Sequence, residues 1–321
     1  MKVFQVWFFS KGKLMNRLAI CVLVFALGLF VLGCQPYDEQ KAKLMDTPER
    51  GTIHISVDES FKPVIDEEVK VYESNRPGTK IIVEYKPEAE CLKDLFVDSI
   101  RMIIATRSFS ESEKNFIVDS MKLSPQRMVV ARDAVAVIVN PLAEDSLFTM
   151  QEIREILTGK FGKKLIPVFD GVKATSTVRF IVDSILKKDT LSPKTVAGKT
   201  SEQVLDYVAK NPEAVGFLGV NWIGNPEDST QLSFLKKVKI AQLESSDVPG
   251  AFIPPVPGTI FTLRYPLVRD LVYIVKEKHN GLAHGFASFM SGEQGQLIFK
   301  RAYLAPMQKD LRIRPVKLRD E

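Results

Sequence analysis

The chain has 321 residues, 45% hydrophobic and 26% charged, the balance of a globular protein with enough length for two domains. Its formal charge of +5 is concentrated at one end: residues 1–33 hold Lys2, Lys11, Lys13 and Arg17 and no acid, which leaves the rest at +1. A near-neutral chain lacks the concentrated positive charge that a phosphate backbone demands, so nucleic acid is excluded as a partner.

Arg17 precedes an apolar run from Leu18 to Leu32 that ends at Gly33-Cys34. A basic start, a short apolar stretch and a small residue before a cut describe an export signal. The run is about 15 residues, short of the ~20 that a membrane-spanning helix needs. Val31-Leu32-Gly33-Cys34 is similar to a lipobox, which makes residues 1–33 a lipoprotein signal peptide and Cys34 the lipidated first residue. An uncleaved membrane anchor is the other reading of this segment, and Met15 offers an alternative start. With Cys21 in the apolar run and Cys34 at the lipid site, Cys91 stands alone in the mature chain. No intrachain disulfide framework is then available, and Cys91 reads as a small buried hydrophobe. Residues 34–50, polar and carrying Pro36 and Pro48, read as a tether.

From Gly51 onward strand-like and helix-like segments alternate. Thr52–Val57 alternates polar and apolar residues and predicts a strand, and Asp58-Glu59-Ser60 supplies capping residues for a helix over Phe61–Glu73. Lys80–Lys86 predicts a strand, Glu88–Ser99 a helix, Ile100–Ala105 a short buried strand, and Ser110–Glu113 the opening of another helix. Ala134–Asn140 is strongly β-prone. After it come a helix at Met150–Leu157, a strand at Lys164–Phe169, a long helix near Thr177–Lys187, a helix at Ser201–Lys210 and a strand at Val215–Val220. Pro249–Pro266 reads as irregular crossover chain, Leu271–Val275 as a strand, and Gly281–Lys300 as helix broken at Ser291-Gly292. This alternation predicts an α/β class with mostly parallel sheets flanked by helices.

Three strand-to-helix junctions have the residues an anion site needs: Asp58-Glu59-Ser60, Thr106-Arg107-Ser108, and Asp170 followed by Thr175-Ser176-Thr177. Hydroxyls and free backbone N–H groups there can donate to an oxyanion, and in open α/β sheets ligands sit at the carboxyl ends of strands. Ser, Thr and Asp at helix starts also serve as plain caps, and both readings stand at each junction.

Four segments carry a family resemblance. They are Asn140-Pro141 with Ile153–Lys160, Thr175–Phe180 preceded by Asp170, Pro212–Gly219, and Tyr265–Arg269 with Ser291–Gln296. In this order the chain resembles the phosphate-binding proteins of phosphate ABC transporters, which have the type II periplasmic binding fold. The resemblance implies two lobes around a ligand cleft, lobe one at 51–136 plus 252–321 and lobe two at 137–251. It further implies a small oxyanion ligand, phosphate foremost, a membrane transporter as partner, and no cofactor. Asp58, Glu59, Ser60, Thr106, Arg107, Asp170, Thr175, Ser176 and Thr177 would line the cleft. Hydroxyls and loop amides would donate, Arg107 would balance charge, and Asp170 would orient its loop or accept a ligand proton.

The departures from that pattern are specific. The first loop is acidic, Asp58-Glu59-Ser60, where the family has small residues and hydroxyls. Ser176 replaces the central glycine of the second loop, and the arginine before that loop is missing, with Arg179 or Arg107 as substitutes or as surface charges. A second expectation therefore stands beside transport: an accessory or interaction lipoprotein of an envelope complex that keeps the fold. Another tetrahedral oxyanion or a small carboxylate would suit the same cleft. Enzyme readings have no support, because no P-loop, nucleotide fingerprint or G-x-S-x-G is present, and His54, His279 and His284 lack metal-ligand spacing. Trp222 reads as packing at a strand end.

Overall fold

The computed structural model describes residues 45–121, 124–171 and 175–307. The expected signal peptide, Cys34 and the tether up to residue 44 lie outside these residues, as does Val172–Ala174 of the second loop. Contacts divide the chain into Met1–Met45 and Asp46–Glu321, and all three hydrophobic cores of the described residues belong to the second unit. That unit carries its own core and is a self-contained folding unit. Among the described residues no helix is long and apolar enough to cross a membrane.

In chain order the elements are β1 (Arg50–Asp58), α1 (Lys62–Asn75), β2 (Gly78–Lys86), α2 (Glu88–Lys93), β3 (Ile100–Ala105), α3 (Glu111–Met121) and β4 (Gln126–Val139). Next come β5 (Leu147–Phe148), α4 (Met150–Thr158), β6 (Ile166–Phe169), α5 (Ser176–Ile181), β7 (Val196–Ala197), α6 (Ser201–Lys210) and β8 (Ala214–Gly219). The last are α7 (Ser229–Leu235), β9 (Lys239–Ile240), β10 (Gln242–Glu244), β11 (Phe252–Ile253), α8 (Pro257–Phe261), β12 (Val268–Val275), α9 (Leu282–Ser291), α10 (Glu293–Arg301) and β13 (Ala305–Pro306).

One strand joins two half-sheets. The order is β2-β1-β3-β12-β4-β8-β6-β7, with β1, β2 and β3 parallel in the first half and β6, β7 and β8 parallel in the second. β4 pairs antiparallel with β12 up to Ala134 and with β8 from Val135 onward. The second chain crossing lies beside this changeover, where Val135 N donates to Leu267 O at 2.9 Å. β4 begins at Gln126, eight residues ahead of the expected strand: Gln126–Asp133 carries too many charges to read as core until its partner β12 is known.

The first half-sheet is buried on both faces. Met102 and Ile104 of β3 join one core with Phe61, Ile65 and Tyr72, whereas Ile103 and Ala105 face Cys91, Leu92 and Leu95. Alternation on such a strand separates two cores rather than core from water. The second half has a single core that takes in β6, β8, Phe148 and Ile153. It also takes in Ile260, Tyr265 and Leu267, so the chain after residue 252 stays with the second core until β12 begins. Local chemistry sets the helix ends. Thr149 and Glu152 form a reciprocal capping box on α4, and Gly159 ends that helix at φ 74°, a left-handed conformation that glycine adopts without strain.

Residues 46–50, expected as the end of the tether, belong to the folded body. Asp46 Oδ2 accepts from Leu282 N at 2.7 Å, and Tyr72 Oη donates to Pro48 O at 2.6 Å. The helix expected over Glu88–Ser99 stops at Lys93 and ends in a tight turn at Asp94–Phe96.

Candidate functional site

Strands β1, β3 and β6 end at Asp58, Ala105 and Phe169, and residues just beyond them meet where the two half-sheets face each other. From the first junction Asp58 and Ser60 are buried. Asp58 Oδ1 accepts from Ser60 N at 3.2 Å, so this carboxyl caps its own turn with one oxygen, and Oδ2 has no hydrogen-bond partner. From the third junction Asp170, Thr175, Ser176 and Thr177 are buried, and Ser176 Oγ lies 3.2 Å from Ser60 Oγ across the two halves. Thr175 serves as the plain cap of α5, accepting from Val178 N at 3.4 Å. Asp170 keeps one carboxyl oxygen, Oδ1, without a hydrogen-bond partner.

The charge that balances this acidic cluster comes from Arg269, which sequence reasoning did not place in the site. Arg269 and Asp133 are direct cross-strand partners on β12 and β4, with Nε donating to Asp133 Oδ2 at 2.8 Å. Nη1 reaches over to Ser176 Oγ at 3.0 Å and Thr177 Oγ1 at 3.3 Å. Its guanidinium lies 5.3 Å from the centre of the Phe61 ring. Gly219, at the end of β8, lets these groups approach: a Cβ there would stand 2.8 Å from Asn221 Nδ2 and 3.4 Å from Arg269 Nη2.

Arg107, expected in the cleft, is bonded to Glu113 at the start of α3, at 3.0 and 3.1 Å, which engages the charge expected to balance a ligand. Thr106 is at the seam, but both its groups are engaged: N and Oγ1 donate to Glu88 Oε1 at 2.8 and 2.6 Å. Arg179, whose two sequence readings were substitute ligand and surface charge, crosses from α5 to this carboxylate. Glu59 is half-buried, with its carboxyl pushed up by burial and by the charge of Asp170. Trp222 does more than pack: Trp222 Nε1 and Asn221 Nδ2 each donate to Ser60 O at 2.9 Å, fixing the first loop against the second half.

Electrostatics follow from depth. Burial, then the charge of Glu88, push Asp58 up to about 7 against the pull of Arg269. Burial raises Asp170 and Asp133 in the same way. Unpaired acceptors at Asp58 Oδ2, Asp170 Oδ1 and Asn221 Oδ1 lie beside the Arg269 guanidinium, whose Nη2 is 2.8 Å from Asp133 Oδ2, so the region can both give and take hydrogen bonds. A second grouping, Asp46, Glu277 and His279, comes within metal-binding distance, but Asp46 and Glu277 spend oxygens on the first N–H groups of α9.

Comparison with curated protein sequences gives no match. Among solved structures, the fold matches a protein described as a phosphate ABC transporter substrate-binding protein from Clostridium perfringens, solved with bound phosphate. That match has a TM-score of 0.65 and 16% identity over 80% of this chain and 100% of that one. An ABC-type phosphate transport receptor from Vibrio cholerae matches with a TM-score of 0.59 and 17% identity, over 79% and 99% of the two chains. A possible phosphate-binding protein from Planctomyces limnophilus matches with 0.55 and 18%, over 81% and 94%. At such identities the likeness is one of fold. The family model described as PBP superfamily domain matches residues 45–293. The chain belongs to the PBP superfamily and has the two-lobed α/β architecture of the type II periplasmic binding fold.

Proposed function

We propose that this protein is an extracytoplasmic solute-binding lipoprotein that captures a protonated tetrahedral oxyanion, inorganic phosphate foremost, and hands it to an ABC-type membrane transporter. In this reading the two half-sheets are the lobes, residues 1–33 the removed signal, and Cys34 the lipid site. The observation that carries it is the buried cluster at the seam: the Ser60, Ser176 and Thr177 hydroxyls and Arg269 as donors, beside unpaired oxygens of Asp58 and Asp170. A bare anion offers only acceptors, so two buried carboxyls would repel it. Dihydrogen phosphate brings hydrogens for those oxygens and oxygens for the donors.

The test is calorimetric titration with phosphate after unfolding and refolding to strip bound ligand. One site of micromolar or tighter affinity is expected, with sulfate and molybdate weaker because they carry no proton to give. Affinity falls as pH rises through about 7, where dihydrogen phosphate loses a proton while Asp58 gains a charge that repels the resulting dianion. Thr177→Ala and Ser60→Ala should each weaken binding. Heat absent with phosphate, sulfate, molybdate and small carboxylates alike would overturn the reading.

A second reading, an accessory lipoprotein of an envelope complex, has one observation in its favour: the seam's polar groups already bond to one another, Ser60 to Ser176 and Arg269 to Asp133. It predicts partner binding that survives Thr177→Ala.

A further inference from the structure

We propose that Glu88 is an internal anion: its carboxylate fills an oxyanion cradle strung between the two halves, holds them together without ligand, and so sets how tightly the cleft takes an external anion. The inference rests on the oxyanion reading for its affinity part and on geometry alone for its closure part.

Glu88, at the start of α2, is 1% exposed. Its Oε1 accepts from Thr106 N at 2.8 Å and Thr106 Oγ1 at 2.6 Å, and its Oε2 from Arg179 Nε at 2.5 Å. Arg179 Nη2 completes the ring by donating to Thr106 Oγ1 at 2.7 Å. A backbone N–H beyond a parallel strand, a hydroxyl and a guanidinium are the donors a bound oxyanion would use. Here they are spent on a side chain of the protein. Glu88 and Thr106 belong to the first half and Arg179 to the second, so the ring spans the seam. An attached carboxylate competes at high effective concentration. It also neutralises Arg179, leaving Arg269, itself paired with Asp133, as the cation that faces Asp58 and Asp170.

Small-angle scattering on the ligand-free Asp46–Glu321 unit tests closure, with Glu88→Gln and Arg179→Gln beside the parent. Both variants should have a larger radius of gyration than the parent while melting cooperatively. Phosphate titration then separates them. E88Q frees a cation and removes a repelling charge, so its affinity should rise about tenfold or more, whereas R179Q should fall below the parent. Should R179Q fail to fold, Arg179→Lys keeps the charge, loses the two-pronged contact, and should open likewise. Two variants as compact as the parent overturn the latch. An affinity for phosphate that E88Q leaves unchanged overturns the competition. If none of the proteins binds phosphate yet both variants expand, the latch stands and the oxyanion reading falls.

Discussion

Two glutamates are withdrawn from water to the same depth and meet opposite fates. Glu68, on the inner face of α1 among Val64, Ile65 and Val69, has no hydrogen-bond partner on either carboxyl oxygen, and burial pushes it up to about 9. Glu88, at the seam, is driven upward by burial too, but bonds from Arg179 and Thr106 hold it below the usual carboxylate range. Glu68 therefore keeps its proton at neutral pH and behaves as a polar filler, whereas Glu88 stays ionised. Depth sets the cost of a charge, and the donors within reach decide whether the protein retains it.

The largest effect should come from withdrawing donors from a buried acid. Arg269→Met leaves Asp133 uncompensated between β4 and β12. It should cost about 3–5 kcal/mol in denaturant unfolding and abolish phosphate binding. The converse experiment is Glu68→Met. Because Glu68 titrates near 9 when folded and near the ordinary value when unfolded, the parent's stability is complete at acid pH and is lost as pH rises through 9. Removing the carboxyl should stabilise by a few kcal/mol at pH 8, at most about 1.4 per pH unit of the shift, and by little at pH 5. A stability difference that does not vary with pH would sink the claim that Glu68 is protonated when folded.

A third glutamate tests donors at the surface. Glu152 accepts from Thr149 N at 2.8 Å in the capping box of α4, and Thr149→Ala should cost about 1 kcal/mol in thermal unfolding. The smallest effect belongs to Glu113, held down to about 2 chiefly by its bond from Arg107. Both side chains are partly exposed. Arg107→Ala should change stability by less than about 1 kcal/mol and leave phosphate affinity unchanged, in contrast to R269M.

How much of this was legible in the sequence follows from distance along the chain. β1, α1, β2 and β3 were readable because their periodicity and capping residues are local, and so were the break between α9 and α10 and the hydroxyls of α5. The acidic first loop also announced a departure from the expected phosphate loop. Arg269 was not found, because its meaning depends on Asp133, far away in sequence and brought opposite only by the pairing of β12 with β4. The one local hint was a charge set at the head of a strongly apolar strand in both places. Glu88 reads only as the first residue of a helix, and nothing near it in sequence shows that Arg179 will arrive from the other half. Arg107 follows β3 directly, which points it to the cleft, and the carboxylate that engages it is Glu113, six residues on, a pairing the sequence leaves open.

The continuity of β4 has a mechanical consequence. Any rotation of one half against the other has to twist β4 between Ala134 and Val135, where the strand is shared and unbroken, together with the second crossing beside it at Leu267 and Val268. Asp133 and its partner Arg269 sit beside that pivot, so their lever arm is close to zero. Ser176, Thr177 and Arg179 belong to the second half and move with it. The central cation is thus mounted on the axle, and the hydroxyls travel toward it or away as the protein closes or opens.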